Sequence, residues 1–187
     1  MTALLRFRSV GCRRGGRLLF EDLSFAIAAG EGLQVTGPNG SGKSSLIRIA
    51  AGLLRPEQGI VEAAPLSLAD DHAALDRELP LQRALGFWSR RAGPALDALG
   101  LGPLAHVPVR LLSSGQLKRA TLARVAASTA PLWLLDEPLN ALDADGAKRL
   151  ARLLESHLAE GGAVLAASHQ SLPGDWRTLE LGQKAEA

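Results

Sequence analysis

The first third of the chain contains short segments in which apolar residues alternate with polar or small ones. Residues 4–8 alternate weakly, and residues 23–27 alternate more clearly. A period of two places one face of a strand against a core and leaves the other face in solvent. We therefore predict an N-terminal antiparallel β subdomain, followed by a turn at residues 29–32.

Later apolar segments are continuous, and helical stretches alternate with them. The predicted strands are residues 32–36, 132–135 and 163–167, and the predicted helices are residues 45–51, 115–127 and 143–158. Strands that are apolar on both faces are typical of parallel sheets covered by helices on both sides. The pattern predicts an α/β fold with a mainly parallel sheet.

The middle of the chain changes character. Residues 73–112 are rich in Leu, Ala and Arg, with helical spacing at Leu81, Leu85 and Trp88. Gly-Pro pairs at residues 93–94 and 102–103 divide the stretch into short helices. We predict a small helical lobe at about residues 73–112, inserted into a single domain that spans residues 1–187.

Composition narrows the class of protein. The 187 residues are 47% hydrophobic with a formal net charge of +2, which is too small to indicate nucleic-acid binding. A single cysteine, Cys12, excludes an internal disulfide and agrees with a reducing compartment. No apolar run approaches the ~20 residues that span a bilayer, and no signal peptide is visible. We expect a cytoplasmic protein without direct membrane insertion and with a frayed tail at residues 183–187.

The most specific motif is the octapeptide of residues 37–44, which fits the pattern G-x-x-x-x-G-K-[ST]. It lies between a predicted strand and a predicted helix, so its backbone N–H groups and the helix N-terminus can surround phosphate oxygens. The predicted phosphate-binding residues are Gly37, Pro38, Asn39, Gly40, Ser41, Gly42, Lys43, Ser44 and Ser45.

Two further features predict ATP and Mg²⁺ as ligands. Lys43 supplies a charge for the β- and γ-phosphates, and the Ser44 hydroxyl can ligate Mg²⁺. The apolar strand near residue 132 ends in two acids, of which Asp136 can hold Mg²⁺ opposite Ser44. The other acid, Glu137, can orient or deprotonate the attacking water. We predict Ser44 and Asp136 as metal ligands and Glu137 as a catalytic residue.

A second phosphate-binding device follows the helical lobe. At residues 112–116, L-S-S-G-Q precedes a helix that either Ser113 or Ser114 can cap, which leaves an exposed helix N-terminus. A simple kinase or GTPase has no use for it. Two copies that meet head to tail could each close this device on the nucleotide held by the other. We therefore predict a homodimer, in which the nucleotide also contacts Ser113, Ser114, Gly115 and Gln116.

Taken together, these motifs occur in the order found in one family. The phosphate loop, L-S-S-G-Q, L-L-D-E-P at residues 134–138, A-L-D at residues 141–143 and His169 follow one another along the chain. Over nearly its whole length the chain resembles the nucleotide-binding domain of ATP-binding cassette proteins. The resemblance implies a P-loop NTPase core and ATP hydrolysis. It also places Asp143 in a loop at the dimer interface and gives His169 a catalytic contact with the γ-phosphate.

A narrower resemblance concerns residues 11–20 and 130–138. Both segments are similar to the cassettes that serve cytochrome c maturation as the ATP-binding subunit of a haem exporter. This implies integral membrane permease subunits as partners and a peripheral position on the cytoplasmic face of the inner membrane. The alternative is a soluble cassette ATPase acting on ribosomes or nucleic acid. We disfavour it because such proteins usually carry two cassettes or a long coiled coil, and the chain shows one cassette and no sustained heptads.

Two positions depart from the family pattern. The aromatic residue that commonly stacks on adenine near positions 12–14 is missing, and Arg13 or Arg14 could stack instead because a guanidinium packs on π faces. We assign Arg14 to the nucleotide site. The glutamine expected after the strand that follows the first helix is missing too, and Asp70 or His72 is the predicted equivalent.

Overall fold

The computed structural model describes residues 3–182, so the predicted fraying of residues 183–187 lies outside the described part. The elements, in chain order, are β1 (Ala3–Arg14), β2 (Arg17–Ala28), β3 (Gly32–Thr36), α1 (Lys43–Ala50), β4 (Gln58–Ala63), β5 (Leu66–Ala69), α2 (Leu81–Gly86), α3 (Ala92–Ala98), α4 (Ser114–Ala127), β6 (Leu132–Asp136), α5 (Ala144–Ala159), β7 (Ala163–Ala167) and β8 (Arg177–Glu180).

The strands form two sheets, and both confirm the predicted fold class. A five-stranded sheet has the order β5-β6-β7-β3-β8, and every neighbouring pair is parallel. A three-stranded antiparallel sheet has the order β2-β1-β4. Because the carboxyl ends of parallel strands lie at one edge, the residues after β3, β5, β6 and β7 meet there.

The parallel sheet separates two hydrophobic cores. Along β6, Leu132 and Leu134 belong to the core shared with α1 and the antiparallel sheet. Trp133 and Leu135 belong to the other core, shared with α2, α3, α4 and α5. Every residue of β6 and β7 is buried, which explains why these strands are apolar at every position except Asp136.

The sequence pattern did not predict bounds for three of the strands. Strand β4 has only Val61 partly buried, and β8 has only Leu179 partly buried, so neither shows an apolar pattern. Strand β5 is four residues long. In β1 the alternation of buried and exposed residues runs only from Leu5 to Arg8, because the register shifts between Phe7 and Val10, where Ser9 adopts a φ of 46°.

The middle of the chain contains two short helices, α2 and α3, which pack against α4. No helix forms at residues 73–80; instead, Arg110 N donates to Arg77 O and Leu81 N donates to Val107 O. The predicted limits of the helical lobe, residues 73–112, stay a prediction. Within residues 3–182, no helix combines the length and the apolar character needed to cross a bilayer.

Candidate nucleotide-binding site

The predicted phosphate loop joins β3 to α1 and curls over the first turn of that helix. Gly40 and Gly42 adopt φ values of 78° and 106°, a left-handed region that glycine enters without strain. A Cβ atom at Gly42 would also lie 3.1 Å from the Leu19 Cβ atom. The helix begins at Lys43, two residues before the predicted start, and its first N–H groups are therefore available to an anion.

Lys43 lies inside the curve of this loop. Its ammonium group donates to the carbonyl oxygens of Gly37 at 2.8 Å and Pro38 at 3.2 Å, and the residue is 7% exposed. These carbonyls are weaker partners than phosphate oxygens, because a hydrogen bond between two charged groups is the stronger kind. The ammonium can therefore exchange them for a bound phosphate.

The residues predicted to hold a metal lie together. The Ser44 side chain lies near enough to the Asp136 carboxyl group to lower its pKa. Asp136 is 6% exposed, and its Oδ1 atom has no hydrogen-bond partner among residues 3–182. Burial raises the pKa of Asp136, and the interaction with Ser44 opposes the shift. Hydroxyl and carboxylate oxygens beside a phosphate cradle are the ligands that Mg²⁺ takes in proteins, so the residues fit this metal.

The two predicted catalytic residues are in contact. Glu137 follows β6 with a φ of 46°, and its N–H donates to Ala167 O at 2.8 Å. Its Oε2 atom lies 2.8 Å from His169 Nδ1. The Glu137 side chain is 20% exposed and that of His169 is 50% exposed. The pair thus bridges the ends of β6 and β7 and remains accessible to solvent, as water activation requires.

One cavity of about 320 Å³ unites most of these residues. Its lining includes the phosphate loop, the acid Glu137 and three further side chains that the loop does not provide, two of them arginines. The lining residues are Arg14, Leu19, Asn39, Gly40, Gly42, Lys43, Ser44, Ser45, Arg48 and Glu137. The cavity therefore brings Glu137, the predicted phosphate loop and two arginines together.

Residues 113–116 do not line this cavity. Of the two candidate caps, Ser113 caps α4: its Oγ accepts from Gln116 N at 3.3 Å, and Gln116 Oε1 accepts from Ser113 N at 2.8 Å. A Cβ atom on Gly115 would lie 2.7 Å from Ala141 O, so the start of α4 packs closely on the turn before α5. The contact of residues 113–116 with the nucleotide of a second copy stays a prediction.

Two residues that were not predicted from the sequence hold backbone segments of this site in place. Gln34, buried in β3, donates to Gln170 O at 2.7 Å and accepts from Leu172 N at 3.1 Å, which fixes the segment after His169. Lys118, on α4, donates to Asp136 O at 3.1 Å. A polar residue inside an apolar strand was the available signal for Gln34; Lys118 carried none, because lysine on a helix is common.

The segment after β5 brings acids toward the metal ligands. The His72 side chain is 82% exposed, and Asp70 Oδ1 accepts from the backbone N–H of His72 at 2.9 Å. The charge of Asp71 acts on both Asp136 and Lys118. Asp70 and His72 stay predictions for the missing glutamine, and the structure adds Asp71 as a third candidate.

Comparison with known proteins agrees with this geometry. The family model described as ABC transporter matches residues 20–140. The "Cytochrome c biogenesis ATP-binding export protein CcmA" of Sphingopyxis alaskensis is 53% identical over 92% of this chain and 93% of its own. Its namesake from Novosphingobium aromaticivorans is 57% identical over 87% of each chain. The dimeric structure of MJ0796, a bacterial ABC transporter cassette, superposes with a TM-score of 0.82 at 22% identity, over 95% of this chain and 94% of that one.

The fold and the cavity define a P-loop ATPase cassette, and the chain belongs to the ABC transporter family. Its relatives named CcmA cover most of the chain at identities far above the range in which only the fold is shared. The resemblance drawn from the motifs is confirmed. The chain is thus an ATP-hydrolysing subunit of the ABC transporter type.

Proposed function

We propose that the chain powers haem export for cytochrome c maturation, as the ATP-hydrolysing subunit of a transporter whose membrane-spanning permease is a separate protein. The observation that carries the proposal is 53% identity to a cytochrome c biogenesis export protein over 92% of the chain, combined with an intact phosphate loop and paired Glu137 and His169. The position that follows is peripheral, on the cytoplasmic face of the inner membrane.

The chain's own residues divide the chemistry among them. The loop N–H groups and Lys43 bind the phosphates, while Ser44 and Asp136 would hold Mg²⁺, which neutralises charge between the β- and γ-phosphates when bound. Glu137 orients or deprotonates the attacking water, and His169 fixes the Glu137 carboxyl group through the 2.8 Å contact. Lys118 fixes the end of β6 by donating to Asp136 O.

Catalysis also requires a second copy in this proposal. The cavity is open on one side, and residues 113–116 of the same chain do not reach it. Ser114 is exposed at the first turn of α4, whose N–H groups can bind an anion. The N-terminus of α4 from a partner protomer would close the cavity over the γ-phosphate.

The permease contact is proposed for the groove between α2 and the segment that precedes it. A cavity of about 260 Å³ is lined there by Leu79, Ala84, Phe87 and Trp88, among others. Phe87 is 84% exposed and Trp88 is 49% exposed, an unusual exposure for large apolar side chains in a soluble surface. Trp88 also contacts Arg124, which donates to Leu68 O near the end of β5. The groove is thereby connected to the edge of the parallel sheet at which the carboxyl ends of the strands lie.

The test is deletion of the gene in its own organism, with covalently haem-bearing c-type cytochromes measured by haem peroxidase staining. Wild-type chain should restore them, whereas Lys43→Ala should not, because it removes the phosphate-binding ammonium. Membrane fractions should contain the chain together with a permease. Unchanged cytochromes in the deletion strain would contradict haem export. If, in addition, the chain co-sedimented with ribosomes in the wild-type strain, the alternative function on ribosomes would replace haem export.

A further inference from the structure

Strand β3 carries a buried polar side chain, Gln34, which is 5% exposed. Its neighbours Leu33 and Val35 both pack into the core that β3 shares with α1. Because successive side chains of a strand point to opposite faces of the sheet, the Gln34 amide lies on the other face. A buried amide costs free energy unless its donor and acceptor atoms are bonded, so the partners of Gln34 are informative.

Both ends of the Gln34 amide bond to the backbone just beyond β7. Its Nε2 atom donates to Gln170 O at 2.7 Å, and its Oε1 atom accepts from Leu172 N at 3.1 Å. Residues 170 and 172 belong to no strand or helix. Since this segment has no ladder of its own, a side chain of β3 supplies the hydrogen bonds that a neighbouring strand would otherwise supply.

His169 lies in a tight turn that is attached to β3 on both sides. Before it, Ser168 N donates to Val35 O at 3.1 Å. Within the turn, the Ser168 Oγ atom donates to Gln170 O at 2.8 Å and accepts from Gln170 N at 3.1 Å. After it, the Gln34 amide donates to the same Gln170 carbonyl. The backbone on either side of His169 is therefore held by two successive residues of one strand.

The same strand leads directly into the phosphate loop, which begins at Gly37. On the other side, the His169 Nδ1 atom lies 2.8 Å from Glu137 Oε2. Gln34 thus connects the strand that carries the phosphate loop to the turn that carries His169. A misplacement of about 1 Å can lower a reaction rate by about 10²-fold, so a fixed distance between these parts matters for turnover.

We propose that Gln34 is a positioning residue for ATP hydrolysis, which holds His169, and through it the Glu137 carboxyl group, in place relative to the phosphate loop. The inference rests on the catalytic roles proposed above for Glu137 and His169. Gln34 does not line the nucleotide cavity. Its loss should therefore lower kcat and leave ATP binding nearly unchanged.

The test compares Gln34→Met with the wild-type full chain. Methionine keeps the length of glutamine but can make neither hydrogen bond, so kcat for ATP hydrolysis should fall by about tenfold. The Kd for Mg-ATP should change by less than about threefold, because the phosphate loop is intact. In a His169→Ala background the same substitution should change kcat by less than about twofold, because residues that act through one another are not additive. Single-turnover measurements with enzyme in excess resolve these slow rates.

The matched control is Leu33→Val. It shortens a buried side chain at the neighbouring position of β3, but on the opposite face of the sheet, so it destabilises the strand without touching the segment after His169. Its kcat should stay within about twofold of the wild-type value. Urea unfolding should show that all variants are folded under the assay conditions.

Hydrogen exchange followed by NMR tests the bond in the wild type as well. The Leu172 N–H should exchange slowly although it lies outside a strand, because it donates to the buried Gln34 side chain. In Gln34→Met its exchange should be faster by about tenfold or more.

Four results would overturn the inference. Wild-type kcat in Gln34→Met means that the residue positions nothing, and an equal fall of kcat in the His169→Ala background or in Leu33→Val means that it does not act through His169. A loss of ATP affinity as large as the loss of kcat means that it acts on the phosphate loop. Fast exchange of the Leu172 N–H in the wild type means that the bond does not persist, a result that holds even if Gln34→Met fails to fold. Wild-type kcat in His169→Ala alone would instead refute the catalytic role proposed for His169.

Discussion

At the scale of single residues, Asp136 is a buried carboxyl group at the proposed metal site. Its Oδ1 atom is buried without a hydrogen-bond partner in the described chain, and burial raises its pKa. A carboxyl group whose pKa is higher in the folded than in the unfolded state destabilises the fold when ionised. This penalty is complete above the raised pKa and disappears as the pH falls below the ordinary carboxyl value.

We predict that Asp136→Asn stabilises the nucleotide-free protein at pH 8, because it removes a buried charge that lacks a full set of partners. The free energy of unfolding should rise by about 1 kcal/mol and the Tm by about 2–4 °C. The difference should shrink as the pH is lowered through the raised pKa. Thermal unfolding from pH 8 to pH 5 measures both effects.

A control with ligand separates the metal role of Asp136 from its burial. Adding Mg²⁺ to an ATP-saturated sample should raise the Tm of the wild type further and leave that of Asp136→Asn nearly unchanged. An equal response of both proteins to Mg²⁺ would show that Asp136 is not a metal ligand.

Residue by residue, the sequence was most informative where chemistry is local. The phosphate loop needs only eight consecutive positions between a strand and a helix, and Asp136 and Glu137 lie at the end of a strand that is buried throughout. Gln34 and Lys118 act through partners 136 and 18 positions away. Their roles depend on which elements the fold brings together, which a local pattern does not contain.

At the scale of elements, α4 connects the two halves of the proposed mechanism. Its first turn carries the N-terminus that would close on a partner's nucleotide, and its second turn carries Lys118, which donates to Asp136 O beside Glu137. Burial lowers the pKa of Lys118, and the acids Asp71, Asp136 and Glu137 oppose the shift. The Lys118 hydrogen bond therefore links α4 to the end of β6.

We predict that Lys118→Met lowers the kcat for ATP hydrolysis by about tenfold and changes the Kd for ATP by less than about threefold. The methionine keeps the apolar stem of the lysine but leaves Asp136 O unpaired, a change that also costs about 1–2 kcal/mol of stability. Steady-state kinetics and urea unfolding measure these effects.

Two further variants serve as controls for Lys118→Met. Lys118→Arg should retain most of the turnover because it keeps a cationic donor near the carbonyl. Lys148→Met, which removes an exposed lysine from α5, should behave as the wild type. If Lys118→Met turned over ATP at the wild-type rate, the proposed link between α4 and β6 would be wrong.

The elements themselves were predictable where they are buried on both faces. Strands β3, β6 and β7 are mainly apolar, and helix α5 presents a clear apolar side with Leu150 and Leu154 buried. Strands β4 and β8 form because a neighbouring strand accepts their backbone hydrogen bonds, and most of their side chains stay in solvent. Nothing in their own composition distinguishes them from loops.

At the scale of the whole molecule, one chain holds a phosphate cradle and an α4 N-terminus that does not reach it. Gly115 is a poor position at which to test the second half-site, since any side chain there would meet Ala141 O of the same chain. Ser114 is exposed on the first turn of α4 and serves better. Ser114→Arg adds bulk at the proposed interface without disturbing the Ser113 cap.

We predict that Glu137→Gln forms a stable dimer with Mg-ATP. The glutamine can still accept a hydrogen bond from His169, but it is a far weaker base for the attacking water, so the closed state persists. Light scattering after size exclusion should show a monomer without ATP and a dimer with it.

The double variant Glu137→Gln with Ser114→Arg should stay monomeric in ATP while binding it with a similar Kd, because its own phosphate loop is intact. A dimer in this double variant would place the interface elsewhere, and a monomer of Glu137→Gln at saturating ATP would contradict two-copy catalysis.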